Sequence, residues 1–189
     1  MKEHIVTDVV RIIQKGGIGI FPMDTIYGLV GSALNKESVE RIYAVRERSP
    51  EKPCIILIAD PDEVKKFSVR VTNADQKLLK KYWPGPFSLI LDCNDTGLEY
   101  LHRGTQSLAF RVPDNAALRD FLRLTGPLVA PSANPEGREP ATTIEMAKQY
   151  FGDAVDFYVD VGEKTGEPST VIKIEDGHGT ILRDGRKKG

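Results

Sequence analysis

Residues 54–59, CIILIA, are six consecutive apolar residues closed off by Pro53 on one side and Asp60-Pro61 on the other. So short a run without polar alternation reads as a strand buried on both faces. Such a strand needs a covering layer on each side, and the rest of the chain supplies layers. Ile5, Val6, Val9, Val10, Ile12 and Ile13 recur at helical spacing, and Gly16-Gly17 ends that helix. Residues 18–21, IGIF, form a short apolar strand that runs into the turn-rich PMDTIYG. Asn35 is placed to cap a helix with Val39, Ile42 and Tyr43 on one face, which Pro50 stops.

Beyond the central run the alternation continues. Asp60-Pro61 opens a short helix, and Thr72 caps another through Leu78, Leu79 and Tyr82. Strands are expected at 87–91 and 108–112, with Asp114 capping a helix that carries Leu118, Phe121 and Leu122. A strand at 127–130 leads into the polar loop PSANPEGREPATT, a helix at 144–151, FYVDV, and two final strands at 170–174 and 180–183. Strands alternate with helices early and dominate late, so the expected fold is α/β, one domain over 1–189 with a twisted, open, mixed sheet. Residues 185–189, GRKKG, read as a frayed basic tail.

Composition narrows the function classes. The 189 residues carry 26 Lys+Arg against 27 Asp+Glu, a net charge of −1, which argues against an indiscriminate nucleic-acid coat protein. No apolar run approaches the roughly 18 residues of a membrane span. The first residues alternate apolar and charged instead of forming a signal-peptide block, so a cytoplasmic location is expected. Cys54 and Cys93 sit in strand-like runs and form no disulfide framework, and the three histidines show no zinc-ligand spacing. His4, His102 and His178 have no carboxylate or nucleophile beside them in sequence and read as surface or turn residues. A phosphate loop, a dinucleotide fingerprint and a G-x-S-x-G elbow are all missing from the sequence.

Chemistry therefore has to come from polar loops placed next to buried strands, where open α/β sheets bind ligands. RERSPEKP sets Arg46, Arg48 and Lys52 within seven residues, a cluster that suits a polyphosphate because guanidinium groups grip phosphate oxygens in pairs. The same cations also suit a solvated helix C-terminus, and Glu47 and Glu51 partly neutralise them. Arg111 lies within the strand-like AFRVP, where an unpaired charge is costly. It either pairs with a structural carboxylate or awaits an anionic ligand.

Seven segments occur in a characteristic order: PMDTIYGL, RERSPEKP, WPGPFSLIL, AFRVPDN, PSANPEG, EPSTV and ILRDG. Together they resemble the YrdC/Sua5 family of threonylcarbamoyl-AMP synthases, in its short bacterial form, over roughly residues 12–185. The resemblance implies a YrdC-like fold with a large, positively lined concave cavity. It also implies a nucleotidyltransferase reaction in which L-threonine, bicarbonate and ATP give threonylcarbamoyl-AMP and pyrophosphate, with Mg²⁺ carried on the ATP. The product would serve the modification of adenosine 37 in tRNA, passed to a separate threonylcarbamoyl-transferase complex.

Carried over residue by residue, the resemblance assigns ATP contacts to Arg46, Arg48, Lys52, Ser107, Asn134, Thr142 and Arg183. It assigns L-threonine contacts to Thr25, Arg111, Ser132 and Ser169, with no protein metal ligand and no covalent catalytic residue. Three positions depart from the family pattern: Met23 replaces a usual threonine, Arg46 a usual lysine, and Leu57 stands where longer members have a histidine. The alternative reading is a YrdC-like module that binds double-stranded RNA or tRNA without adenylation. Its affinity would fall steeply with salt, unlike that of a small-molecule pocket.

Overall fold

The computed structural model describes residues 3–175 and 177–185; the tail expected at 185–189 lies, beyond Gly185, outside them. Nine strands form one mixed sheet: β1 Gly19–Pro22, β2 Tyr27–Ser32, β3 Ile55–Leu57, β4 Phe87–Asp92, β5 Ser107–Arg111, β6 Leu128–Val129, β7 Phe157–Tyr158, β8 Thr170–Glu175 and β9 His178–Arg183. Their spatial order is β7-β1-β2-β6-β3-β5-β4-β8-β9. β3 runs parallel to β5 and antiparallel to β6, while β4 runs antiparallel to β5 and parallel to β8.

The α-helices are α1 Glu3–Gln14, α2 Lys36–Val45, α3 Asn73–Tyr82, α4 Glu99–His102, α5 Ala116–Thr125 and α6 Ile144–Phe151. They cover the sheet unequally. Val9 and Ile13 of α1 and Leu118, Phe121 and Leu122 of α5 form one core with Phe21, Val30 and Leu57. There Phe21 and Phe121 stack with ring centroids 4.2 Å apart. α2, α3 and α6 supply Val39, Ile42, Leu79 and Ala147 to the other core, with Ile56, Leu89 and Phe110. Ile56 and Leu57 of β3 thus enter different cores, as a strand buried on both faces requires.

Local capping follows the sequence signals. Asn35 accepts the Ser38 amide at 2.8 Å, and Thr72 and Asp75 form a reciprocal capping box. The cap of α5 is Asn115, not Asp114: its side chain accepts the Leu118 amide at 2.9 Å. The helix starts one residue later than expected, so the orphan amide at its third position faces residue 115. β2 has no counterpart among the expected strands, since Gly28, Gly31 and Ser32 dilute its apolar signal. His102 is a turn histidine but not a surface one; it is 5% exposed, and its Nδ1 accepts the Gly104 amide at 3.1 Å. Both cysteines are buried and free. Among the described residues, no helix is long and apolar enough to cross a membrane.

One ion pair fastens the start of β1. Asp156 accepts the Ile18 amide at 2.8 Å and two guanidinium contacts from Arg41 at 2.9 and 3.3 Å. Partial burial pushes this carboxyl up, but Arg41 and the amide outweigh burial and hold it below its ordinary range. A carboxyl depressed in the folded protein stabilises above its unfolded pKa of about 3.9, and that stabilisation disappears as pH falls through the lower folded value. Asp156→Asn is therefore expected to lower the melting temperature at pH 7 and to flatten its fall below about pH 4. Thermal melts across pH test this; an unchanged acid slope would contradict it.

Candidate functional site

β5 shows how the sequence makes a site in the middle of a sheet. Side chains alternate along a strand, so Leu108 and Phe110 go into the core while Ser107, Ala109 and Arg111 face the opposite way. On that second face α1 and α5 reach only as far as Leu57, and no helix residue lines the part around Ser107, Ala109 and Arg111. Ile55 and Leu57 stand in register with Ala109 and Arg111, and Ile90 with Ala109, extending the same floor. The result is a cavity of about 370 Å³ whose base is the sheet's own face. Open α/β sheets bind ligands at their strand ends; here the ends and their loops supply the walls.

Three loop systems build those walls. PMDT brings Thr25, which is 7% exposed, and Gly166 of the GEKTGEPS loop presses on it: a Cβ there would lie 2.4 Å from the Thr25 carbonyl. The segment after α2 brings Arg46 and Arg48, and PSAN brings Ser132. Ser169 and Arg183 close the far side, joined by an Arg183 Nη2 bond to the Ser169 carbonyl at 2.8 Å. The Ser169 and Ser88 hydroxyls lie 2.8 Å apart.

Arg46 ties two walls together. It is 3% exposed; its Nε donates to the Asn134 carbonyl at 2.8 Å, and its Nη2 reaches the Ser132 Oγ at 3.3 Å. Its Nη1 is buried without a hydrogen-bond partner. Burial, and next the charge of Arg48, hold the Arg46 guanidinium below its ordinary range, and the same two causes in the same order act on Arg183. Arg46 and Arg183 thus each sense Arg48, an effect that Glu136 partly offsets at Arg46, and among the described residues no carboxylate lines the cavity. An arrangement of that kind lowers its energy by taking an anion.

Arg48 is held by its own loop: its Nε and Nη2 donate to the carbonyls of Lys52 and Pro53, both at 2.9 Å. Tyr43 braces the same turn, its hydroxyl donating to the Lys52 carbonyl at 2.8 Å. The Tyr43 ring lies under Arg103, whose guanidinium is 3.8 Å from the ring centroid. Arg111 pairs with the Asp24 carboxylate, and its Nε donates to the Gly85 carbonyl at 3.2 Å. The structural carboxylate left open by the sequence is therefore Asp24.

Eight of the eleven expected site residues line this cavity: Thr25, Arg46, Arg48, Ser107, Arg111, Ser132, Ser169 and Arg183. Three do not. Lys52 points outward and pairs with Glu136, which also accepts the Ser49 amide at 2.5 Å. Asn134 turns its amide to the carbonyls of Pro135 and Arg138, each at 2.8 Å, and so shapes the loop. Thr142 lies behind the wall, its carbonyl accepting the Lys164 amide at 2.8 Å. The carboxylate found on the basic loop is thus Glu136, a residue within the quoted PSANPEG; nothing in sequence spacing connects it to Lys52. Asp24, Glu136 and Tyr43 are the site's supporting residues that sequence reasoning missed. Among the described residues, no group of three His, Cys, Asp or Glu side chains is placed to hold a metal ion.

The profile of the Sua5/YciO/YrdC family, described as telomere recombination, matches residues 11–185. A relative named threonylcarbamoyl-AMP synthase from Marinobacter nauticus is 35% identical over 171 residues, spanning 88% of this chain and 90% of its own. A putative threonylcarbamoyl-AMP synthase from Methanocaldococcus jannaschii is 32% identical over 174 residues, spanning 92% of this chain and 82% of its own. Among solved structures, Pyrococcus abyssi Sua5 complexed with L-threonine superposes with a TM-score of 0.88 at 28% identity. That alignment covers 98% of this chain but 55% of the Pyrococcus one, so this chain spans little more than half of that protein.

Proposed function

Because the chain belongs to the Sua5/YciO/YrdC family, we propose that it is a threonylcarbamoyl-AMP synthase, making threonylcarbamoyl-AMP and pyrophosphate from L-threonine, bicarbonate and ATP. The observation that supports the reading is the buried, unpartnered Nη1 of Arg46 beside a cavity that Arg48, Arg111 and Arg183 line and that, among the described residues, no carboxylate lines. Each reactant is an anion or carries a carboxylate, and anions repel until cations screen them.

The roles follow from the walls. Arg111, oriented by Asp24, holds the threonine carboxylate at the floor, with Thr25, Ser132 and Ser169 offering hydroxyls to the amino acid. Arg46, Arg48 and Arg183 face the phosphates with Ser107 nearby, while Asn134 and Thr142 shape the nucleotide's loop. Lys52 joins them by exchanging Glu136 for a phosphate oxygen. Mg²⁺ carried on the phosphates would add charge neutralisation there; among the described residues, no group of three His, Cys, Asp or Glu side chains is placed to hold it.

The threonine amine forms an N–C bond to CO₂ derived from bicarbonate and loses a proton, giving a carbamate. A carbamate oxygen then attacks the α-phosphorus; the new P–O bond forms as the bond to pyrophosphate breaks, and pyrophosphate leaves. No enzyme nucleophile is required. Holding the two reactants in line supplies about 7–11 kcal/mol of the barrier through proximity. The adenylate then passes, in the cytoplasm, to a separate transferase that modifies adenosine 37 of tRNA.

The test is pyrophosphate release from protein, ATP, Mg²⁺, bicarbonate and single amino acids. Release that needs both threonine and bicarbonate is expected. Release independent of either, or no release alongside salt-sensitive RNA binding, would reject the assignment.

Tyr43 offers a sharper check on the nucleotide side. Tyr43→Phe removes one hydrogen bond, worth about 1 kcal/mol, from the loop that carries Arg48. The ATP KM is expected to rise about fivefold, with the threonine KM within about twofold. Equal changes in both would show that the loop does not serve the nucleotide.

A further inference from the structure

A second cavity, of about 470 Å³, opens between the end of β1, Val6 of α1 and Leu118, Phe121 and Leu124 of α5. Among the described residues, Met23 alone lines both this cavity and the one beneath Arg111. It is 6% exposed, so its thioether fills the space between them.

The neighbours of Met23 place it at the amino-acid end of the site. The next residue, Asp24, pairs with Arg111. The Cγ and Cε of Met23 pack against Gly28, where a Cβ would come within 3.2 Å of both. Gly28 in turn bridges to Ser132. Glycine at 28 therefore leaves room for the methionine, and the methionine closes the gap that glycine leaves. A thioether with three rotatable bonds is suited to plugging an irregular opening.

We propose that Met23 is a specificity-determining partition: it limits the amino acid to a side chain about the size of threonine's by separating the cavity from the empty volume behind. This rests on the reading that Arg111 holds the amino acid's carboxylate. Met23→Ala would remove three heavy atoms, join the two cavities, and admit α-amino acids with longer apolar side chains into the space lined by Leu118 and Phe121.

The experiment is calorimetric titration of the full chain and of Met23→Ala and Met23→Leu with threonine, leucine and phenylalanine, each protein first checked by thermal melting. In Met23→Ala, leucine affinity relative to threonine is expected to rise at least about tenfold, since a methylene in an apolar pocket is worth roughly 10–200-fold. Met23→Leu keeps most of the volume and is expected to keep the discrimination. If threonine binds all three proteins and leucine gains nothing in Met23→Ala, the partition is overturned while the amino-acid site stands. An equal gain in Met23→Leu would also overturn it, because volume would not be the cause. If threonine does not bind the unaltered protein, the underlying reading fails and the partition with it. Should Met23→Ala not melt cooperatively, Met23→Val replaces it with a smaller gain expected, and no gain there overturns the proposal.

Discussion

Alanine at Arg111 is expected to raise the threonine KM about a hundredfold, with the ATP KM changed less than about threefold. A charge-assisted hydrogen bond contributes about 1.5–3 kcal/mol, and the upper part of that range corresponds to roughly that factor at 1.4 kcal/mol per tenfold. The substitution has a second consequence. Asp24 and Arg111 have side chains 9% and 5% exposed, and removing one partner of a buried pair costs about 3–5 kcal/mol. Arg111→Ala should therefore also melt at a markedly lower temperature. A double variant separates the effects: Asp24→Ala combined with Arg111→Ala should recover much of the stability without recovering threonine binding. Steady-state kinetics with each substrate varied, together with thermal melts, decide it. Parallel losses in both KM values would remove Arg111 from the amino-acid site.

Arg46→Ala should act on the other reactant. It deletes the bond to the Asn134 carbonyl and the contact with Ser132, and it removes a guanidinium whose buried Nη1 has no hydrogen-bond partner. The ATP KM is expected to rise about thirtyfold, equivalent to roughly 2 kcal/mol, the loss of about one charged hydrogen bond. Arg46→Lys keeps the charge but not the planar fork. It should restore a good part of ATP binding while leaving the PSAN loop less well held, visible as a lower melting temperature than the parent protein. If Arg46→Lys binds ATP no better than Arg46→Ala, screening by charge is not what this residue contributes.

Local physics made much of this fold readable. The caps at Asn35 and Thr72, the helix at Ile144–Phe151 and the doubly buried β3 each follow from a few adjacent residues. β2 escaped because its two glycines are chosen for what packs against them, and those neighbours lie elsewhere in the chain. The same limit governs the site. Arg111 could be flagged as a charge in an apolar strand, but its partner Asp24 is 87 positions away. Lys52 and Glu136 are 84 apart. Spacing puts Lys52 in the cationic cluster, but it shows which residues are near in sequence, not which way a side chain turns after a helix ends. That Ser107, Ala109 and Arg111 share one face is implicit in strand alternation; that no helix residue lines the cavity on that face is not.

The guanidinium of Arg46 holds the Asn134 carbonyl and the Ser132 Oγ at once, so the segment after α2 and the PSAN loop are mechanically one piece. A molecule that settles one of them settles the other. By thermodynamic reciprocity, if two ligands share the cavity, the factor by which the first alters the binding of the second equals the factor by which the second alters the first. Neither order of addition is then privileged at equilibrium.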